Sequence, residues 1–477
     1  MRTRFRLSVS IFCCALASTL CLPAQSLVHE PVPNQSVDAI DPALKANIDR
    51  IAQQVLEQTG VASASVAVVQ HGKLAYTQAY GVARLSPRTP ATAAMRYSIG
   101  SISKQFTAAA ILMLEEEGKL KLDDPVGKYV PGLTAGDKVT IRQILSHTSG
   151  YQDYWPEDYA MTPMLKPAST EYILDTWAKK PLDFEPGTQW QYSNTNFVLA
   201  CRVVETITGR PLTELLTERV FKPLHMTTAW DSDNQKLPKS DAASYVRYAL
   251  GPLHPAPAEG PGWMAGAGEL AMTAHDLALW NTSLLAQSIL KPESYKQMFT
   301  EVKLSDGKGS KYGLGVDVLT RDGHRVIEHT GEVSGFVADN LVMPDDGVAV
   351  TVLTNQDASS AATAIGHLVA PLVAGVPPTA EERQALEIYR DLQKGKIDRT
   401  LLAPNLSDYF SAEAVSDYKN SLAPLGEPLS LKQTATEERG GMTFRIFNVQ
   451  YPSCRLRLTT YTYPDGKLEQ YIIATVQ

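Results

Sequence analysis

A serine and a lysine three residues apart, Ser101 and Lys104, stand at the entrance of a strongly helical stretch. Side chains three apart on a helix share one face, so these two lie one above the other. A lysine can remove the serine proton if its own pKa falls toward neutrality, and both burial and the positive end of a helix lower that pKa. The spacing therefore predicts a nucleophile and its base at the start of a helix over 103–117.

The Ser-x-x-Lys spacing is not specific by itself. It recurs in this chain at Ser288, Ser305 and Ser416. A serine at a helix entrance is also more often an N-cap than a nucleophile, because its side-chain oxygen accepts hydrogen bonds from free backbone N–H groups. Ser101 can therefore be assigned as a nucleophile only if further motifs occur in the right order and structural setting.

Two further motifs follow in chain order. Tyr192-x-Asn194 comes between a Pro-Gly turn and an apolar helix, where a tight loop can present both side chains to a cleft. A His-Thr-Gly sequence starts at His329, at the end of a predicted strand, and occurs once in the chain. Tyr-x-Asn recurs at 418–420 and is weak alone, so the signal is the order of the three motifs.

His147 is another candidate for chemistry, because it lies near the end of a short helical run over 141–150. Imidazole is the side chain whose charge changes most readily near neutral pH. Polar side chains at a helix end nevertheless usually bind carbonyl groups or hold loops in place. A structural role is therefore favoured over a catalytic one.

The elements around these motifs predict an α+β unit. An amphipathic helix and two strands open it, and three strands and an Ala-rich helix close it, with helical material inserted between. Five antiparallel strands flanked by helices follow, with the inserted helical subdomain as the far wall of a cleft that the three motifs face. The predicted strands are 61–70, 73–82, 326–329, 336–343 and 348–354, and the terminal helices are 42–58 and 358–373.

A second, smaller unit follows a Pro-Pro sequence at 377–378. Two helices and four strand-like runs over 380–477 predict a small α+β domain, and their order resembles that of cystatin-like modules. Its role is left open between a binding module, a dimer interface and a stabilising cap. The helices are 380–394 and 412–421, and the strands are 429–434, 442–449, 455–462 and 468–474.

The N-terminus has the composition of an export signal. Three arginines within the first six residues precede an apolar stretch over 7–22 and then small residues. This pattern predicts a signal peptide over 1–26 and a linker over 27–41, and hence a periplasmic or secreted protein without a membrane span after cleavage. A membrane anchor is the alternative, and the short, interrupted apolar run disfavours it.

Charge and cysteine content exclude several other classes. The formal charge is 44 − 51 = −7 without a basic stripe, which excludes the electrostatic footprint of a nucleic-acid-binding protein. The predicted mature chain keeps two cysteines, Cys201 and Cys454, for which buried thiols are the default and a disulfide the alternative. No Cys/His group has metal-ligand spacing, so neither a metal nor another cofactor is predicted.

From about residue 45 to 375 the chain resembles the penicillin-recognising serine hydrolases. The similarity is to the group of class C β-lactamases, D-alanyl-D-alanine carboxypeptidases and esterases. It rests on sequences in the same order, YSIGSISK at 97–104, LSHTSG at 145–150, Gly187 with YSN at 192–194, and HTG at 329–331. The resemblance implies a β-lactamase/transpeptidase-like domain over 42–375 that acts on a small molecule or short peptide.

The resemblance also implies a role for each motif residue. Ser101 is the nucleophile, and either Lys104 or Tyr192 is the general base, a choice that the sequence leaves open. Substrate binding falls to Asn194, His329, Thr330 and Gly331. The backbone N–H groups of Ser101 and Glu332 form the oxyanion hole.

His329 departs from the class C pattern, in which a lysine usually stands beside the substrate carboxylate. A histidine is expected to be only partly charged at neutral pH, which favours a peptidase- or esterase-like substrate over an efficient β-lactamase. The acyl donor stays open between a β-lactam, a D-Ala-D-Ala peptide and a small ester. The rival hypothesis is a catalytically idle penicillin-binding or peptidoglycan-sensing module, and the oligomeric state is not predicted.

Overall fold

The computed structural model describes residues 37–451 and 454–476. The predicted signal peptide (1–26) and most of the predicted linker (27–41) lie outside the described residues. Within the described part of the chain, no helix combines the length and apolar character that crossing a bilayer requires. Cys201 and Cys454 are both free, and Cys201 is buried.

A seven-stranded antiparallel sheet is the centre of the larger part of the chain. The five predicted strands are all present and adjacent, and one short strand at each edge makes the sheet wider than predicted. Edge strands of three and five residues without apolar alternation carry little sequence signal. In spatial order the strands are Arg88–Pro90, Lys73–Leu85, Ser63–Gln70, Val348–Thr354, Phe336–Met343, His324–Val333 and Asp317–Arg321.

The two faces of this sheet carry different layers, as alternating side chains require. The helices Pro42–Thr59 and Ala361–Val373 cover one face, with Val326 in their shared core. The inserted helical subdomain covers the other face, with Ile327 in that core. The α-helices between the strands Arg88–Pro90 and Asp317–Arg321 are Ser103–Glu116, Ile141–Leu145, Thr170–Ile173, Asn194–Thr208, Leu212–Leu216, Ala274–Ala286 and Pro292–Met298.

The helix Ser103–Glu116, called the central helix below, runs through the interior. Its residues from Ser103 to Leu114 are all buried, so the helix is covered on every side rather than on one face. A 3₁₀ turn, Gly100–Ile102, precedes it and carries Ser101. Ser101 therefore lies just before the α-helix, close to where the sequence places it.

Short strands complete the larger part of the chain. Tyr97–Ser98, Leu270–Met272 and Trp230–Asp231 form a three-stranded sheet beside the 3₁₀ turn, and Tyr245–Arg247 pairs with Leu253–Pro255. The pairing of Tyr97 with Met272 holds the segment that leads into Ser101. These strands are too short for the sequence to indicate.

The C-terminal part has its own antiparallel sheet and its own apolar core. Both predicted helices and all four predicted strands are present, whereas the helix Pro404–Tyr409 was not predicted. The helices are Ala380–Gln393, Pro404–Tyr409 and Ala412–Leu422, and the strands are Ser430–Arg439, Met442–Gln450, Arg455–Thr462 and Leu468–Thr475. The domain boundaries at 375 and 380 stay predictions.

Candidate active site

A cleft of about 580 Å³ opens between the strand His324–Val333 and the helical subdomain. Its volume suits a ligand the size of a dipeptide or a small drug. The predicted site side chains meet here, with Lys104 beneath the floor, fully buried. The cleft lining includes Ser101, Tyr192, Asn194, His329, Thr330 and Glu332.

Lys104 is positioned to act on Ser101. Its Nζ lies 2.9 Å from Ser101 Oγ, 2.8 Å from Asn194 Oδ1 and 2.8 Å from the carbonyl oxygen of Ala267. A neutral amine has two N–H donors and one lone pair. The carboxamide and carbonyl oxygens accept only, so they take the two N–H groups, and the lone pair is left facing the serine hydroxyl.

Burial also makes Lys104 a plausible base at neutral pH. Desolvation lowers the pKa of Lys104 to about 7, against the opposing charge of Asp153. A group whose pKa lies near the working pH is the most effective general base. Geometry and pKa therefore agree on the neutral amine as acceptor of the Ser101 proton.

Tyr192 approaches the same oxygen from the other side. Its hydroxyl donates a hydrogen bond of 2.7 Å to Ser101 Oγ. Desolvation raises the pKa of Tyr192, and the bond to Ser101 only partly opposes this. The phenol stays protonated at neutral pH, so the geometry favours Lys104 as the base and Tyr192 as the proton carrier.

The capping alternative for Ser101 does not apply. Neither the 3₁₀ turn nor the central helix has a side-chain cap hydrogen bond at its N-terminus. The Ser101 hydroxyl instead contacts the side chains of Lys104 and Tyr192. Ser103 is bound elsewhere, because its Oγ accepts a hydrogen bond from the backbone N–H of Leu270.

Two glycines bring the predicted oxyanion-hole amides together. A Cβ on Gly331 would lie 1.9 Å from the carbonyl oxygen of Ile99 and 3.1 Å from the amide nitrogen of Ser101. A Cβ on Gly100 would lie 2.7 Å from the amide nitrogen of Glu332. The distances of 1.9 Å at Gly331 and 2.7 Å at Gly100 leave no room for a Cβ, so both positions require glycine. Gly331 thus allows the close backbone approach at the site, and its predicted contact with substrate stays a prediction.

His147 holds the Tyr192 loop, a role that the sequence anticipates only in general terms. Its carbonyl oxygen accepts from the N–H of Gln191 at 3.0 Å, and its Nδ1 accepts from the N–H of Ser193 at 3.2 Å. Its ring stacks on Tyr192 with centroids 4.4 Å apart. Burial holds the pKa of His147 well below its usual range, so the ring is neutral and fixes the position of the Tyr192 loop.

Both the oxygen and the nitrogen of the Asn194 carboxamide make hydrogen bonds within the protein. Its Oδ1 faces Lys104, while its backbone N–H and its Nδ2 donate to Asp153 at 2.8 and 3.3 Å. This orients the carboxamide oxygen toward the lysine. Its predicted substrate contact stays a prediction. Asp153 was missed because it lies in an irregular segment without a motif.

His329 differs from the expected partly charged state. Its Nδ1 lies 2.6 Å from the carbonyl oxygen of Thr330 and must donate, so Nε2 accepts from the Tyr312 hydroxyl at 2.8 Å. Desolvation and the nearby Lys104 lower the pKa of His329 to about 4. The ring is neutral, and neither nitrogen is free to bind a substrate carboxylate.

The walls of the cleft are acidic. Among the described residues that line it there are six carboxylates and neither lysine nor arginine. Asp317 is one of those whose carboxylate receives no hydrogen bond or ion pair from a described residue, and burial raises its pKa to about 7. The carboxylates are those of Asp153, Glu157, Asp158, Asp317, Glu332 and Asp357.

Activity is expected to rise as the pH increases through about 7, because Lys104 accepts a proton only in its neutral form, which dominates above its lowered pKa. His329, with a pKa near 4, adds no change in that range, but Asp317, with a pKa of about 7, titrates within it, so the series is repeated with Asp317→Asn. Initial rates of kcat/KM across a pH series, with the melting temperature followed at each pH, measure this. A rate that falls as the pH rises through neutrality would assign activity to the ammonium form.

Comparison with known proteins agrees with this geometry. The sequence profile of the family described as Beta-lactamase matches residues 48–373. The chain belongs to the beta-lactamase family. The match spans the whole seven-stranded sheet and all but the first six residues of the helix Pro42–Thr59 that covers one of its faces.

Two curated relatives and one solved structure show how close the similarity is. Protein flp of Staphylococcus aureus is 26% identical over 336 residues, which are 68% of this chain and 66% of that protein. D-aminopeptidase of Cereibacter sphaeroides is 30% identical over 342 residues, 70% of this chain and 63% of that protein. The chain thus spans less than two thirds of the length of either relative.

The solved structure is that of a D-stereospecific amidohydrolase from Streptomyces sp. It is 28% identical, with a TM-score of 0.59, and covers 68% of this chain and 97% of that one. The similarity supports a β-lactamase/transpeptidase-like fold for the larger part of the chain.

Proposed function

We propose that this chain is a serine hydrolase that cleaves an amide or ester through an acyl-enzyme on Ser101. One observation carries the proposal, the convergence of Lys104 Nζ and the Tyr192 hydroxyl on Ser101 Oγ at 2.9 and 2.7 Å. A serine hydroxyl is a poor nucleophile unless a base lies within hydrogen-bond reach. An idle binding module has no need of this arrangement.

The geometry supports a specific order of proton transfers. The neutral amine of Lys104 takes the hydroxyl proton as Oγ forms a bond to the substrate carbonyl carbon, and the oxyanion is held by the N–H groups of Ser101 and Glu332. Tyr192 donates its proton to the leaving nitrogen or oxygen and recovers one from the Lys104 ammonium. Water then attacks the acyl carbon, and the proton transfers run in reverse. Tyr192 takes a proton from the water as it passes its own to Lys104, and Lys104 returns a proton to Ser101 Oγ as the acyl bond breaks.

The acidic cleft indicates the class of substrate. β-Lactams and D-Ala-D-Ala peptides carry a carboxylate, which the ionised members of the six lining carboxyl groups would repel and which the neutral His329 does not attract. A protonated amino group would be attracted instead. We therefore favour an amide or ester of an amino acid or short peptide with a free amino group, with the aromatic side chains of Tyr154, Trp155 and Trp190 available to its apolar part.

The relatives support the same choice. One is named a D-aminopeptidase and one a D-stereospecific amidohydrolase. The names describe those proteins, and the acidity of the cleft is the independent reason to extend the amine preference to this chain.

Free-amine substrates are expected to exceed their N-acetyl counterparts in kcat/KM by roughly tenfold or more, the value of one charged hydrogen bond. The measurement compares amino-acid p-nitroanilides with and without the acetyl group, in D and L forms. A chromogenic cephalosporin, a nitrophenyl ester and a D-Ala-D-Ala peptide serve as references. Asp317→Asn should shrink the ratio, and Asp306→Asn, at an exposed carboxylate, should leave it unchanged.

Equal rates on the free and acetylated substrates would refute the amine preference and leave the acyl-enzyme proposal intact. Faster hydrolysis of the cephalosporin or the D-Ala-D-Ala peptide would instead show that the cleft accepts a carboxylate. Failure on every substrate would favour the idle module.

We also propose that the protein is exported to the periplasm or medium. The basic start and the apolar stretch over 7–22 support this. Mass analysis of the N-terminus of protein recovered outside the cytoplasm should show cleavage near residue 26. An intact N-terminus on protein confined to the cytoplasm would contradict it.

A further inference from the structure

Three side chains with metal-ligand chemistry meet on the face of the main sheet opposite the cleft. Glu328 and Asp339 come from neighbouring strands, and His367 comes from the helix Ala361–Val373 that covers them. One ligand atom from each lies within 4.8 Å of the others. The three are called the back-face cluster below.

Strand alternation explains why these carboxylates point away from the active site. His329 faces the cleft, so its neighbour Glu328 faces the helix. Thr330 is paired with Asp339, which places Asp339 diagonally across from Glu328 on the same face. Both carboxyl groups are buried, with Glu328 3% and Asp339 0% exposed.

Asp339 is the unusual member of the back-face cluster. No N–H donor among the described residues reaches either of its oxygens, and its carboxyl group lies within hydrogen-bond reach of only that of Glu328. Burying a carboxylate without a partner is costly, and a second carboxylate beside it adds repulsion. The pair needs a positive centre between its oxygens, which can be a shared proton or a metal ion.

We propose that Glu328, Asp339 and His367 bind one divalent transition-metal ion, for which Zn²⁺ is the best match. Imidazole nitrogen and carboxylate oxygen are both ordinary zinc ligands, and two carboxylates with a neutral imidazole balance its charge. His367 Nε2 already faces Glu328 Oε1 at 2.5 Å, so the ion replaces the proton between them.

The surroundings of the back-face cluster fit an ion. Arg321 donates to the second oxygen of Glu328 at 2.6 Å, the kind of outer hydrogen bond that orients a ligating carboxylate. Gly366 keeps the helix clear, because a Cβ there would lie 2.0 Å from Asp339 Oδ2.

The ion would act on the fold rather than on the reaction. It would join the helix Ala361–Val373 to the strand that carries His329 and the oxyanion-hole amide of Glu332. The sequence predicts no metal site because the ligands come from three elements, so no short spacing marks them.

Titration of the chelator-treated full chain tests the proposal, with Zn²⁺ followed by calorimetry and Co²⁺ by its visible absorption. One equivalent is expected to bind and to raise the melting temperature. Asp339→Asn and His367→Gln should each weaken binding by roughly 100-fold. Loss of a residue that only supports a ligand costs up to this much, and these two residues are ligands themselves. Asp346→Asn, which breaks the surface pair with His324, should leave binding unchanged.

Absence of binding by the wild-type chain would overturn the proposal, as would equal affinity in Asp339→Asn. A metal-free Asp339→Asn chain that melts higher than the wild type, without metal uptake by either, would show that the carboxylates share a proton instead. His367→Gln changes a partly exposed side chain, so it serves if the Asp339 variant does not fold.

Discussion

Replacing Ser101 with alanine is expected to lower kcat/KM by about 10⁴-fold or more while the fold survives, because loss of a nucleophile removes the covalent route. Among the described residues its hydroxyl hydrogen-bonds with Lys104 and Tyr192 only, and it caps no helix, so little folding energy depends on it. Steady-state rates on the best amide or ester, together with thermal melting, measure both parts.

Ser416→Ala is the matched control for this variant. Ser416 belongs to another Ser-x-x-Lys sequence, on the exposed helix Ala412–Leu422, where its hydroxyl accepts a hydrogen bond from Asn420. Its replacement should leave the rate unchanged. Undiminished hydrolysis by Ser101→Ala would refute the assignment of the nucleophile.

Lys104→Met should lower kcat/KM by about 10³-fold, within the usual range for loss of a general base. Methionine fills similar space in the buried site but cannot accept the Ser101 proton. The rise of activity through about pH 7 should disappear with it, because that rise reports the Lys104 amine.

Lys419→Met, at the Ser416 sequence, is the corresponding control and should change neither the rate nor the pH profile. A Lys104→Met chain that keeps the rise through neutrality would move the titration to another group. Asp317 would then be the first residue to examine, since it lines the cleft and its pKa of about 7 lies in the same range.

The large elements were predictable because their patterns are long. The strands Phe336–Met343 and Val348–Thr354 are mostly apolar runs around a Pro-Asp-Asp-Gly turn, and the structure has the same bounds. The edge strand Arg88–Pro90 and the helix Pro404–Tyr409 were missed, because three to six residues without periodicity do not differ from loop.

The site was predictable only where a motif marks it. Ser101, Lys104 and Tyr192 lie within short sequences whose order indicates a cleft, and the structure brings them within hydrogen-bond distance. Asp153 and Tyr312 come from irregular segments, and their contacts exist only after folding. Local sequence cannot indicate them.

The charge of His329 could not be predicted for a related reason. A histidine in sequence has an ordinary pKa near neutrality. Its value of about 4 follows from burial next to Lys104 and from the hydrogen bonds to Thr330 and Tyr312. The tertiary structure therefore makes the His329 ring neutral, where the sequence predicts a partly charged ring beside the substrate.

Covalent labelling with a fluorophosphonate, read by intact mass and peptide mapping, tests the acyl-enzyme proposal most directly. We predict one adduct per chain, located on Ser101, absent from Ser101→Ala and slow to form in Lys104→Met. A chain that gains no mass, or that is labelled at another serine, would contradict the proposal that Ser101 is an activated nucleophile.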